Sequence, residues 1–199
     1  MRSTMSVMID PEERLIYWNG RYADQGLIFG SDVNVFVDRH LSGLSPRRVL
    51  DLGCGQGRNA LWLAGQGHAV TGVDLSDVAI GDARDLAATA GLDVDFIAAD
   101  LVAGEPEPEA YDLVLLSYLH LEKEQRSVVH AMASGALAPG GMLFLVAHHV
   151  REVAAQEAGN ETAQRARIGQ AARALDAMAD QAAVLPGERP PLGRQFVAG

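Results

Sequence analysis

The sequence predicts an α/β fold built on a doubly wound parallel sheet, and three observations carry this prediction. Short apolar segments alternate with helical patterns between residues 48 and 147. A glycine-rich turn (Gly53, Gly55 and Gly57, here called the glycine turn) joins the first strand to a helix, and Asp74 ends the second strand. Because right-handed crossovers place successive helices on both faces of such a sheet, the expected strand order is 3-2-1-4-5.

Each element has a local signal in the sequence. The five predicted strands are apolar and bounded by turn residues, and they span 48–52, 69–73, 93–98, 111–117 and 142–147. Apolar residues at helical spacing predict helices at 10–24, 32–41, 58–66, 77–90 and 122–137. Asp10, Ser31 and Ser76 are the expected caps of three of these helices. The proline-rich segment 104–110 is predicted to be a loop.

The glycine turn and the acids near it indicate a site for an adenine-containing cofactor. Asp74 falls about 20 residues after the turn, where a carboxylate can accept hydrogen bonds from both ribose hydroxyls. Asp51 lies at the mouth of the first strand. A carboxylate there repels a pyrophosphate but suits a ligand that carries an ammonium and a sulfonium. This combination predicts S-adenosylmethionine (SAM) as the cofactor.

These residues resemble motif I and its acidic partner in the class I SAM-dependent methyltransferases, which have a Rossmann-like fold. Residues 99–101, Ala-Asp-Leu, are similar to the family motif whose acid binds the adenine amino group. Residues 118–121, Tyr-Leu-His-Leu, resemble the F-L-H-L of the tellurite-resistance-like group. Residues 18–22, Trp-Asn-Gly-Arg-Tyr, are similar to a segment that closes over the cofactor in tellurite-resistance and thiopurine-type enzymes. The resemblance covers residues 11–149.

The resemblance and the strand ends together imply one set of cofactor-binding residues. The set comprises Trp18, Arg21, Asp51, Gly53, Cys54, Gly55, Gly57, Asn59, Asp74, Leu75, Ser76, Asp100, Leu101 and Ser117. Within it, Arg21 is expected to pair with the methionine carboxylate or with an anionic substrate. Asp100 is expected to accept a hydrogen bond from the adenine amino group, the alternative being a solvated acid at a strand end.

The candidates for the methyl acceptor side follow the fourth and fifth strands, where ligands bind in open α/β sheets. Tyr118 and His120 are the candidate catalytic residues, and His148 and His149 are further candidates. His120 either acts as a base, orients the substrate or only packs. No spacing rule supports a metal site among these histidines, so none is expected. Cys54 lacks an evident activating base and is not interpreted as a nucleophile.

Composition excludes several classes of partner. The chain has 199 residues, enough for one domain with a sizeable core, and a formal net charge of −10. This acidic balance argues against binding to nucleic acid or to anionic membranes. The single cysteine excludes a disulfide within the chain, and no apolar run approaches the roughly 20 residues of a membrane helix. Residues 1–9 do not resemble a signal peptide, and the expected location is the cytoplasm.

Two regions are expected along the chain. Residues 1–149 form the SAM-binding core, including the N-terminal helices of 10–41. Residues 150–199 form an Ala-rich extension that is mostly helical or partly disordered. The C-terminal strand hairpin of the family is missing there or replaced by a helical tail. A second copy of the chain, bound through this tail, is a candidate partner.

The expected function is transfer of a methyl group from SAM to a small-molecule acceptor by in-line displacement, which leaves S-adenosylhomocysteine (SAH). The fold does not fix the acceptor. One alternative is a non-catalytic module that binds SAM or SAH. Another is a nicotinamide oxidoreductase, but Arg58 occupies the third glycine position of the dinucleotide fingerprint, and Asp51 lies where a pyrophosphate would bind.

Overall fold

Helices and strands alternate along the described part of the chain. The structure is a computed structural model that describes residues 10–119, 121–148 and 196–197. The helices are α1 (Pro11–Gln25), α2 (Val35–Leu41), α3 (Arg58–Gly65), α4 (Asp77–Ala90) and α5 (Lys123–Ala136). The strands are β1 (Arg48–Leu52), β2 (Ala69–Asp74), β3 (Val94–Ala98), β4 (Glu105–Pro106), β5 (Tyr111–Ser117), β6 (Leu137–Val146) and β7 (Phe196–Val197).

The main sheet has the order β3-β2-β1-β5-β6, with all neighbours parallel. The fourth and fifth predicted strands are β5 and β6, so the predicted order 3-2-1-4-5 is confirmed. In register, Leu52 lies opposite Val73 on one side and Leu116 on the other. The carboxyl ends of all five strands therefore meet at one edge of the sheet, where the predicted site residues lie.

Helices cover both faces of the sheet, as predicted. On one face, α2, α3 and α4 pack against the sheet in a cluster that includes Leu41, Leu63 and Ile80. On the other face, α5 packs through Val129 against residues that include Leu50. A parallel sheet covered on both faces needs apolar side chains in both directions, which explains the continuous apolar runs of β1 and β5.

Two predicted caps are confirmed and one is wrong. The Asp10 carboxylate accepts a hydrogen bond from the Glu12 N–H (2.8 Å), and the Ser76 hydroxyl accepts one from the Ala79 N–H (3.1 Å). Helix α2, however, begins at Val35 with Asn34 as its cap, rather than at residue 32 with Ser31. The Asn34 N–H donates to the Asn59 side chain of α3 (2.9 Å), so a tertiary contact fixes this helix start.

The structure also differs from the prediction where a strand is very short or pairs with residues far away along the chain, because such strands leave no pattern in the local sequence. Strand β4 lies inside the predicted loop of 104–110 and pairs antiparallel with β7, where no strand was predicted. Strand β6 begins at Leu137 rather than residue 142, with a register irregularity against β5 between Tyr111 and Leu113. The apolar spacing of 122–137 predicts that Val128 points inward, but Val128 is 48% exposed. Apart from residues 196–197, the predictions for 149–199 concern residues outside the described part of the chain.

None of the helices in the described ranges is both long and apolar enough to cross a membrane.

Strand β2 has a position where only glycine fits. A Cβ atom at Gly72 would lie 2.8 Å from the Phe96 ring and 3.1 Å from the Cys54 sulfur. We expect Gly72→Ala to lower the free energy of unfolding by about 1–3 kcal/mol, because the core would be overpacked.

The matched control for Gly72→Ala is Gly81→Ala, at an exposed position of α4 with no other atom within 4 Å of the new Cβ. This change should raise stability by roughly 0.5–1 kcal/mol through the better helix propensity of alanine. Urea denaturation of both variants measures the two effects. Equal stability of the two variants would contradict the packing described around Gly72.

Candidate cofactor site

A cavity of about 320 Å³ opens at the carboxyl edge of the sheet. Most of the predicted site residues line it: Trp18, Gly53, Cys54, Gly55, Asn59, Asp74, Leu75, Asp100, Leu101, Ser117, Tyr118 and His148. Four predicted residues do not line it: Arg21, Asp51, Gly57 and Ser76. His120 and His149 fall outside the described residues. The structure therefore brings twelve of the predicted residues together around one cavity.

The glycine turn is tight enough to exclude side chains. Its three glycines have positive φ angles of 75°, 56° and 81°. A Cβ atom at Gly53 would lie 2.8 Å from Leu119, and one at Gly55 would lie 2.8 Å from the Tyr22 hydroxyl. At Gly57 a Cβ atom would lie 2.7 Å from Phe96. Glycine is needed here both for backbone conformation and for space.

Asp74 is held between the glycine turn and the start of α4. One carboxylate oxygen accepts a hydrogen bond from the Gly55 N–H (2.8 Å), and the other accepts one from the Ser76 N–H (2.9 Å). Desolvation by burial raises the pKa of Asp74, and these backbone hydrogen bonds oppose the increase. Each oxygen keeps a further lone pair, so the fixed carboxylate can still accept hydrogen bonds from a ligand in the cavity.

Asp51 is 1% exposed, and neither of its carboxylate oxygens has a hydrogen-bond partner in the described part of the chain. Burial raises its pKa to about 7, Asp74 adds to the increase, and Arg58 opposes it. A buried carboxylate without partners is costly. A ligand with positive charge near the glycine turn would offset that cost. The Asp51 carboxylate therefore suits the ammonium and sulfonium of SAM.

Helix α1 presents three residues to the cavity that repeat every fourth position: Arg14, Trp18 and Tyr22. The Arg14 guanidinium forms an ion pair with the Asp100 carboxylate (2.7 Å), which also accepts a hydrogen bond from the Val102 N–H (3.0 Å). Arg14 and Tyr22 were not among the predicted site residues. The i, i+4 rule starting from Trp18 was the signal that could have found them.

Arg21 points along the outside of this stripe of α1. Its guanidinium lies 5.9 Å from the centre of the Tyr17 ring and 5.5 Å from that of Trp18. The predicted cation of the site is therefore not at the cavity, whereas Arg58 is. Arg58 donates a hydrogen bond to the Phe29 carbonyl (2.7 Å), and both residues line the cavity.

The connection between α1 and α2 rests on the glycine turn and α3. Besides the Arg58 contact, the Gln56 side chain donates to the Gly26 carbonyl (2.9 Å). Nothing in the local sequence predicted that Phe29 lines the cavity, because these contacts join residues about 30 positions apart along the chain.

The comparisons with known proteins address the same segment. Residues 49–141, which include the glycine turn, Asp74 and Asp100, match the family described as "Methyltransferase domain". Residues 49–141 are a class I SAM-dependent methyltransferase domain. The predictions of this family and of SAM as its cofactor are confirmed.

Individual relatives of the methyltransferase domain agree with this assignment. The ubiquinone biosynthesis O-methyltransferase of Idiomarina loihiensis is 37% identical over 112 residues, which cover 55% of this chain and 45% of that protein. The chain spans about half the length of the curated relatives it matches.

Two solved structures share the fold. A SAM-dependent methyltransferase from Methanosarcina mazei has a TM-score of 0.50 and 25% identity, over 56% of each chain. TehB from Haemophilus influenzae has a TM-score of 0.52 and 25% identity, over 65% of this chain and 44% of that one.

The raised pKa of Asp51 predicts how the methyltransferase domain responds to pH. We expect the affinity for SAM to rise by up to about tenfold between roughly pH 6 and pH 8, because the cationic ligand favours ionised Asp51. Asp51→Asn should remove most of this dependence in calorimetric titrations. An unchanged slope in the variant would show that another group titrates.

The raised pKa of Asp51 also predicts how the stability of the cofactor-free protein changes with pH. The folded pKa of Asp51 lies above the unfolded value of about 3.9, so the folded state binds more protons between the two pKa values. Stability therefore falls as pH rises through this window, and Asp51→Asn should raise the Tm of the cofactor-free protein at neutral pH.

Proposed function

We propose that the chain is a SAM-dependent methyltransferase that transfers a methyl group to a small-molecule acceptor by in-line displacement. The observation that carries the proposal is the layout of the cavity. Gly53, Gly55 and Asp74 line it together with Tyr118 and Leu119, which follow β5. A cofactor held by the turn would thus face an acceptor held beyond β5. The curated relatives are O-methyltransferases, which supports an oxygen acceptor.

The cofactor would bind along the strand ends, with each acid at a different part of the molecule. Asp74 would accept the ribose hydroxyls. Asp100, oriented by Arg14, would lie at the adenine end, beside Leu101. Asp51 would stabilise positive charge from beneath the turn. Among the remaining members of the predicted set, Trp18, Cys54, Leu75 and Ser117 would form the walls, and Gly57, Asn59 and Ser76 would shape the turn and the helix starts.

Arg58 and Tyr22 replace Arg21 in this proposal as the partners of the methionine carboxylate. Both line the cavity, and the Tyr22 hydroxyl lies over Gly55. Tyr22 is 5% exposed, and burial raises its pKa, an effect that both Arg21 and Arg58 oppose. A guanidinium and a hydroxyl at one end of the cavity are suitable donors for a carboxylate.

SAM supplies an activated methyl group on a sulfonium. The protein contributes position and exclusion of water, which can lower such a barrier substantially when the reacting atoms lie about 3–3.5 Å apart. Helix α1 and the loop around Phe29 cover the cavity, held by the contacts of Arg14 and Arg58.

The division of the chain at residue 149, a cytoplasmic location and a homodimer formed through the extension stay predictions. The single cysteine and the acidic net charge support the location and the absence of nucleic-acid partners.

The proposed function predicts binding of SAM and SAH without binding of NAD, and turnover of SAM with at least one member of a panel of phenols, thiols and amines. Asp74→Asn should lower SAM affinity by about tenfold to a hundredfold, because a hydrogen bond to a charged acceptor is worth about 1.5–3 kcal/mol. Asp85→Asn, at an exposed position of α4, is the matched control.

Calorimetry and a methyl-transfer assay measure these two properties separately. Tight NAD binding without SAM binding would overturn the proposal. SAM binding without turnover across the panel would instead support a non-catalytic binding module.

The proposed contact between Arg58 and the methionine carboxylate predicts different effects of substituting Arg58 and Arg21. Arg58→Gln should weaken SAH binding by about tenfold or more, since it removes a charge-assisted contact. It should leave binding of methylthioadenosine, which lacks the amino-acid end, nearly unchanged. Arg21→Gln is the matched control and should affect neither ligand. Equal losses for both ligands in Arg58→Gln would point to a disturbed loop rather than a lost carboxylate contact.

A further inference from the structure

We propose that Tyr118 and His148 form the acceptor subsite, that this subsite takes a neutral planar aromatic alcohol, and that His148 accepts the hydroxyl proton. The two rings lie at the ends of β5 and β6, with their centres 4.6 Å apart and their planes at 47°, and both line the cavity. The inference rests on the proposed methyltransferase function and names the substrate class of that site.

The proposed acceptor subsite adjoins the glycine turn. Leu119 packs directly on the glycine turn, since a Cβ atom at Gly53 would lie 2.8 Å from its Cδ1 atom. The residue before it, Tyr118, is therefore placed beside the turn. A ligand group on the Tyr118 side and a cofactor on the turn would share this boundary, as in-line transfer of a methyl group requires.

Tyr118 has an unusual backbone conformation. Its φ angle is 56°, a left-handed value that is uncommon for a bulky residue and costs free energy. The Tyr118 N–H donates to the Val146 carbonyl (2.8 Å), so pairing of the two strand ends holds this conformation. The ring also packs with Phe36 and Val146. A strained residue held in place at a cavity indicates a functional position.

Charged side chains occupy only some of the positions that line the cavity. The charged side chains that line the cavity are Arg14, Arg58, Asp74 and Asp100, and two of these form the Arg14–Asp100 ion pair. Besides Tyr118 and His148, the described residues after Leu116 of β5 that line the cavity are Ser117, Leu119 and Leu121, and none of the three carries a charge. An ammonium acceptor would need a carboxylate there, and an oxyanion would need cations. Rings and leucines favour a neutral aromatic molecule instead.

The proton balance then assigns a role to His148. As the acceptor oxygen forms its bond to the methyl carbon, the methyl–sulfur bond breaks with its electron pair moving to sulfur. The hydroxyl proton must leave the oxygen, and an imidazole nitrogen of His148 receives it. Such a base matters for an alcohol of high pKa and is dispensable for an acidic thiol.

Acceptors of different acidity test this role. With para-methoxyphenol, His148→Gln should lower kcat by about a hundredfold or more, within the usual range for general-base catalysis. With thiophenol, which is largely ionised without help, the loss should stay below about threefold. His130→Gln, on α5 and away from the cavity, is the matched control and should change neither rate.

Two binding measurements supplement the rates. Para-nitrophenol added to the SAH complex, at a pH below the pKa of the free phenol, should show the absorbance of the phenolate in the wild-type protein but not in His148→Gln. Tyr118→Ala should raise KM for the phenols roughly threefold to tenfold through the lost ring contact, whereas Tyr118→Phe should not.

The outcomes separate this inference from the proposed function. Equal losses with the phenol and the thiol, or no loss with either, would overturn the role of His148. Turnover of thiols or amines but of no phenol would overturn the substrate class and leave the proposed function intact. Failure of the wild-type protein to bind SAH would overturn the proposed function itself. Unchanged SAH affinity in His148→Gln shows that the variant is folded.

Discussion

The hydrogen bond from the Gly55 N–H to the Asp74 carboxylate is the constraint on which the site depends. It joins the turn after β1 to the end of β2, and the second oxygen of Asp74 holds the start of α4 through Ser76. The turn can approach this closely only because no Cβ atom stands between it and Tyr22, Phe96 or Leu119. Residues from α1, β3 and the segment after β5 thus all pack against the glycine turn.

Burial of Asp51 is the main cost of this arrangement. Its carboxylate lies under the turn without a hydrogen-bond partner in the described part of the chain, next to a second acid, Asp74. Such a group lowers the stability of the cofactor-free protein, and its ionised form suits a positively charged ligand. The two effects are linked, because a ligand that favours the ionised form also shifts the folding equilibrium toward the folded state. Affinity and stability are therefore coupled at this position.

Features with a local cause were predictable from the sequence, and features fixed by distant contacts were not. Helix α4 begins after Ser76 and ends before Gly91 as predicted, since both its cap and its stop are adjacent in sequence. The start of α2 was misplaced because Asn59, 25 residues away, determines it. In the site, the glycine turn and the acids at strand ends follow from spacing alone. The absence of Arg21 from the cavity lining depends on the rotation of α1, which contacts between Asn19 and the start of α4 fix.

The two ends of the cavity differ because different strands supply them. The ends of β1, β2 and β3 carry an acid each, and these positions would serve a cofactor whose structure does not vary. The ends of β5 and β6 carry Tyr118 and His148, and their positions depend on how the two strands pair at Val146. Changes in the residues after β5 and β6 can therefore alter the acceptor without disturbing the turn or its carboxylates. This separation gives a physical reason why one fold can serve many methyl acceptors, and why the residues around Tyr118, rather than the glycine turn, must explain the choice.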